Sequence, residues 1–117
     1  MEIMHERCCG VDVHKKQITA CLLISGASGR LKTKEIKRFE TFTDSLEEIA
    51  DWLVANDCRA VAMESTGVYW TPVFNILEER GIRVCLVNAY HMKNVPGRKT
   101  DMKDCEWIAQ LYRRGLL

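Results

Sequence analysis

Four carboxylates stand where they could do chemistry together. Asp12 interrupts the apolar run CCGVDV (8–13), Glu64 ends the run RAVAME (59–64), and Asp101 and Asp104 lie three apart in GRKTDMKD (97–104). A charge inside an apolar run is costly unless it is paired or coordinated. Acids at i and i+3 of a helix share a face, with Cβ atoms roughly 5–6 Å apart. Oxygen-only donors suit hard divalent cations such as Mg²⁺ or Mn²⁺. Two such ions about 3.5–4 Å apart can activate a nucleophile and stabilise the leaving oxygen in phosphoryl transfer. Each acid also has a local alternative: Asp12 salt-bridged to Lys15 or Lys16, Glu64 as a loop carboxylate, and Asp101 and Asp104 complementing a helix dipole. Their joint occurrence at strand ends and on one helix start favours a shared metal site.

The last two acids sit in a basic surround. Between Lys93 and Arg114 the chain carries Lys93, Arg98, Lys99, Lys103, Arg113 and Arg114 against Asp101, Asp104 and Glu106. Acidic ligands within basic surroundings are what a metal-assisted site for a polyanion requires. Phosphate contacts supply most sequence-independent affinity for nucleic acid, so Arg98, Lys99 and Lys103 are read as nucleic-acid contacts. Lys15 and Lys16, just after Asp12, are candidates for the same role, with a solvated turn as the alternative. Arg113 and Arg114 are read as last-turn cations complementing the helix dipole. Trp70 is expected to pack at a helix start, and Ser65 and Thr66 either to bind a phosphate or to cap that helix. His14 is left out of the site, on the expectation that strand alternation turns it away from Asp12.

These residues need elements to position them. Residues 8–13 and 17–24 read as successive strands, and the GASG turn (26–29) leads to a more exposed third strand over 31–42. Asp44 is a plausible N-cap with Glu47 completing a capping box. Leu46, Ile49, Ala50 and Leu53 give that helix an apolar stripe. Residues 59–64 form a buried strand, Thr71-Pro72 starts a second helix that Gly81 stops, and 82–87 is a fifth strand. A polar connection (88–99) leads to a closing helix from Asp101. The order β-β-β-α-β-α-β-α gives an α/β mixed five-stranded sheet with flanking helices, and it resembles the ribonuclease H-like pattern.

A chain of 117 residues supports one domain, 1–117, with an independent core. No run approaches the ~18 apolar residues of a membrane span, and the N-terminus has no apolar signal-type core, so a cytoplasmic location without a membrane partner is expected. The net charge of +1 means that any basic footprint must come from local clustering. The six cysteines include no C-x-x-C and no zinc spacing; they read as reduced core residues.

GVDVHKK, ESTGVYW and GRKTDMKDCEWIAQLYRRG together resemble the N-terminal, RuvC-like domain of the DEDD transposases of the insertion-sequence 110 family, relatives of the Piv-type DNA invertases. The resemblance covers nearly the whole chain. By it, the family's acids fall on Asp12, Glu64, Asp101 and Asp104. It implies a Mg²⁺-dependent recombinase that cuts and rejoins DNA, guided by a structured RNA of the element and working as a homo-oligomer, a dimer or higher. Family members carry a second, C-terminal domain with a DNA-attacking serine. This sequence ends at Leu117 without one, so a fragment that binds metal but does not complete recombination alone is expected. Competing readings are a stand-alone ribonuclease H-like or junction-resolving nuclease, and a non-catalytic nucleic-acid-binding or dimerisation module.

Overall fold

In a computed structural model, residues 3–65 and 67–117 are described; Met1, Glu2 and Thr66, and with it the expected phosphate or capping role of Thr66, lie outside them. The elements are β1 (Arg7–Val13), β2 (Ile18–Ser25), β3 (Leu31–Phe39), α1 (Thr43–Ala55), β4 (Ala60–Ser65), α2 (Trp70–Glu79), β5 (Arg83–Leu86), α3 (Ala89–Asn94) and α4 (Asp104–Arg113). They build one mixed sheet of order β3-β2-β1-β4-β5. The first three strands form an antiparallel meander, and β4 and β5 continue it in parallel. This is the ribonuclease H-like architecture expected from the order of elements.

Strand composition follows position. Residues Cys8–Val13 of central β1 are all buried, as a strand covered on both faces requires. Edge strand β3 is exposed over most of its length. Its Glu35 accepts a hydrogen bond from Trp52 Nε1 at 2.9 Å, and Lys37 lies over the Trp52 ring, so 35 and 37 face α1. Lys34, Ile36 and Arg38 therefore face the other way.

The sheet separates two cores. On one face, Leu46, Ile49 and Leu53 of α1 and Val73 and Leu77 of α2 pack on Cys9, Val11 and Val13. On the other, Cys105, Ile108, Ala109 and Tyr112 of α4 pack on Cys8, Cys21, Leu23 and Ala62. Helix α4 crosses β1 at Gly10, where an added Cβ would lie 2.3 Å from the Cys105 carbonyl oxygen and 2.4 Å from the Ala109 nitrogen. No side chain but hydrogen fits that crossing. All six cysteines are free, and only Cys85 is not fully buried.

Several boundaries differ from the expected ones. Helix α1 starts at Thr43, with Phe42 at the N-cap and no side-chain cap. The Phe42 carbonyl already accepts the Leu46 N–H, so Asp44 falls within the first turn and no capping box forms. Glu47 pairs with Arg80 instead. Strand β3 ends at Phe39, and Pro72 sits at the third position of α2. The connection after β5 hides α3, whose N-cap Asn88 accepts the N–H groups of Tyr90 and His91. Helix α4 begins at Asp104, because Lys103 is extended and its carbonyl takes the first intrahelical bond, from Trp107. Asp101 lies before it, in a turn closed by the Met102 N–H on the Lys99 carbonyl.

Candidate active site

Asp12 and Glu64 are direct partners in the parallel β1–β4 register. Cys8 and Gly10 of the same strand face α4, so period-two alternation sends Asp12 to that face as well. Two carboxylates thus stand side by side on neighbouring strands, under the first turn of α4. Asp12 is 4% exposed, and its Oδ1 is buried with no hydrogen-bond donor. Its Oδ2 lies 3.0 Å from His14 Nε2, which donates in the Nε2–H tautomer.

Glu64 registers the crowding. Partial burial, then the closeness of the Asp12 carboxyl and the charges of Asp12 and Asp104, raise its pKa from 4.5 to about 7, with His14 opposing. Close to neutral pH the pair therefore tends to hold one proton between two acids, as carboxylates that cannot both ionise do. A divalent cation would remove the same repulsion. Asp104, the third acid, is the first residue of α4, and its Oδ1 is 2.7 Å from Arg98 Nη2. Arg98 also donates to the Met102 carbonyl at 2.7 Å, which folds the loop before α4 back onto the helix start. A cation taking Asp104 Oδ1 competes with that guanidinium.

Asp101 is placed elsewhere. It is exposed and lines a cavity of about 430 Å³ between the preceding loop, α4 and β3, together with Lys34, Lys99, Glu106, Gln110 and Arg114. Among the described residues, no three His, Cys, Asp or Glu side chains converge as a complete cation cage. The assembled nucleus is Asp12 with Glu64, and Asp104 is within electrostatic reach. The oxygen-only donors and the orphaned Asp12 Oδ1 fit a hard divalent ion.

The basic residues spread around this nucleus. Lys99 and Lys103 are exposed on the loop before α4, and Arg98 is engaged as described. Lys15 and Lys16 are exposed in the β1–β2 turn; Lys15 lines a cleft with Val68, Tyr69 and Val73, towards α2. Arg113 does not serve the helix dipole alone. It is 7% exposed, and it donates to Ser25 Oγ at 2.8 Å and to the Gly29 carbonyl at 2.7 Å. His14 was wrongly set aside: positions 12 and 14 differ by two, so alternation puts them on one face. The spacing D-V-H was the available signal.

The sequence profile of the DEDD-type insertion-sequence 110 family, described as a transposase, matches residues 9–117. The chain belongs to that family. Membership puts this transposase domain among enzymes that cut and recombine DNA. None of the curated proteins matches the transposase domain. Solved structures share its fold: Thermus thermophilus RuvC in complex with Holliday junction substrate is 14% identical with a TM-score of 0.61, over 96% of this chain and 98% of that one. Fowlpox virus resolvase with Holliday junction DNA is 12% identical with a TM-score of 0.63, over 93% and 99%. Thermus thermophilus RuvC alone is 15% identical with a TM-score of 0.64, over 93% and 96%. The transposase domain is therefore RuvC-like in fold. Among the described residues, no helix is long and apolar enough to cross a membrane.

Proposed function

We propose that residues 1–117 are the N-terminal catalytic-core domain of a DNA recombinase, in which Asp12, Glu64, Asp101 and Asp104 hold Mg²⁺ or Mn²⁺ for strand cleavage and rejoining. The observation that carries the reading is the Asp12–Glu64 pair, two adjacent carboxylates under the helix start that bears Asp104. When bound, the ions supply Lewis acidity to a scissile phosphodiester and to the attacking oxygen. The chain's own groups do the rest. His14 fixes the Asp12 carboxylate through its Nε2–H. The burial of Asp12 and partial burial of Glu64 limit the access of bulk water to the oxygens that would hold the ions. Asp101 reaches the centre by rearrangement of the 97–103 loop, which Arg98 now folds back on Asp104. Arg98, Lys99, Lys103, Lys15 and Lys16 contact nucleic-acid phosphates. The family reading further supplies a structured guide RNA, a homo-oligomeric assembly, a cytoplasmic location and a serine-bearing C-terminal domain for the full-length protein.

The test is a calorimetric titration of Mg²⁺ and Mn²⁺ into wild type, Asp12→Ala and Asp101→Ala. Wild type should take up the ion, Asp12→Ala should lose at least tenfold in affinity, and Asp101→Ala should lose less. Equal uptake by wild type and Asp12→Ala would show that the site is wrong.

The resolvases solved with Holliday junctions support a second reading, a junction-resolving nuclease whose acids activate water directly. Cleavage of branched DNA by this chain alone, lost in Asp12→Ala, would favour it.

A further inference from the structure

The pairing registers place four residues on one rung across the sheet. Arg38 pairs with Thr19, Thr19 with Asp12, and Asp12 with Glu64. Thr19 faces α4, since Cys21 and Leu23, two and four residues on in β2, pack in the core on that side. Arg38 shares that face, because directly paired residues do. At about 4.8 Å per strand, the Arg38 backbone stands about 10 Å from that of Asp12, and the side chain extends over open sheet. Arg38 is exposed and has no hydrogen bond or ion pair among the described residues. It is an unengaged guanidinium level with the acid pair.

The same face of β3 continues this pattern away from the acids. Ile36 is 37% exposed, and Lys34 follows, 3.3 Å from Glu106 at the rim of the cavity that Lys99 and Arg114 also line. Lys34 and Arg38 are four residues apart, about 13 Å along the strand, far enough apart to meet different phosphates of one backbone. The opposite face of β3 has a different task, with Glu35 and Lys37 both engaged by Trp52. The cations of β3 that face α4 are thus separated from those that serve the core.

We propose that the α4-facing side of β3, carried by Arg38 and Lys34, is the track on which the DNA strand to be cut approaches Asp12 and Glu64. Arg38 holds the phosphate nearest the acids, Ile36 meets a sugar or base edge, and Lys34 takes a phosphate further back, exchanging Glu106 for it. The occupant is single-stranded or locally opened DNA, because one edge row of about 13 Å addresses one backbone. This inference rests on the reading of the acid pair as a DNA-cutting centre. Lysines on an edge strand also discourage strand pairing, a task that does not depend on the face they occupy.

The experiment is fluorescence anisotropy of a labelled DNA oligonucleotide, in chelator and over a range of salt, with wild type, Lys34→Ala/Arg38→Ala, Arg38→Glu and Lys37→Ala. The double variant and Arg38→Glu should each bind at least about tenfold more weakly, and the double variant should lose about 1.4 from the slope of log affinity against log salt. Lys37→Ala, one residue away on the other face, should bind within about twofold of wild type. Thermal unfolding of Arg38→Glu, at a site with no partner to lose, confirms that folding is intact. Wild-type affinity in both Arg38 variants, an equal loss in Lys37→Ala, or no binding by wild type would overturn the track. So would an affinity loss confined to an RNA oligonucleotide. Mg²⁺ uptake is read separately by calorimetry: a failure there with the anisotropy pattern intact removes the metal reading and leaves the track. The converse removes the track alone.

Discussion

Glu64 is the residue at which the site announces its unfinished charge balance. Its pKa is raised from 4.5 to about 7 by burial, by the neighbouring Asp12 carboxyl and by the charges of Asp12 and Asp104. Between those values the folded protein keeps a proton that the unfolded chain has released. Stability from this group is therefore full below pH 4.5 and is lost as pH rises through about 7. Metal-free wild type should unfold at a lower temperature at about pH 8 than at about pH 5, once other groups are subtracted. Glu64→Gln should flatten that difference and add about 1 kcal/mol at the higher pH, a figure already discounted for solvent screening. Differential scanning calorimetry of both proteins across pH reads it, and parallel pH profiles would refute the repulsion. That Asp12 needs a partner was legible in the sequence, because a carboxylate in an apolar run is expensive. The hydrogen bond of His14 to Asp12 is equally legible, because residues two apart in an extended chain share a face.

At the scale of elements, the strands were legible as apolar runs bounded by turn signals, since burial on both faces imposes continuous hydrophobicity on β1, β2 and β4; their order across the sheet was not. The helix starts were less legible. Asp44 and Asp101 both had the chemistry of a cap, yet the backbone opened each helix at another residue, Phe42 and Lys103. Side-chain capping contributes only about 1 kcal/mol, and the docking of a buried helix face outweighs it. Asp101 thereby left the shared helix face on which its partnership with Asp104 had been argued. The crossing of α4 over β1 was invisible in sequence, because Gly10 reads as one more small residue in an apolar strand. Gly10→Ala would drive a methyl group into backbone atoms at 2.3 and 2.4 Å. The helix has to shift, and a loss of about 3 kcal/mol is expected, measured by urea unfolding. A variant as stable as wild type would mean that α4 can ride higher on the sheet than it does.

Across the whole molecule, one buried cation ties the far end of α4 to the opposite end of the meander. Arg113 bridges Ser25 Oγ and the Gly29 carbonyl, and its own carbonyl accepts the Met4 and His5 N–H groups. Arg113→Ala would leave a buried hydroxyl and a carbonyl without a donor, at a cost of about 2 kcal/mol. Arg113→Lys should recover little of it, since one ammonium on a flexible stem does not reproduce a rigid fork. Chemical denaturation of both variants measures this, and full rescue by lysine would show that charge alone matters. Sequence spacing gave no hint of this contact, which joins residues 84 and 88 positions apart.

The fit of α4 over Gly10 also has a consequence in time. Strands β1 and β4 hold Asp12 and Glu64, but Asp104 arrives on a helix whose seat on β1 joins positions almost a hundred residues apart. During synthesis the chain emerges from its N-terminus, so the two strand acids exist as a mutually repelling pair before their third companion has been made. Contacts of such long range form late and slowly. On the proposed reading of these acids, a nascent chain would carry no complete cation site until residues 104–113 have cleared the ribosome and docked.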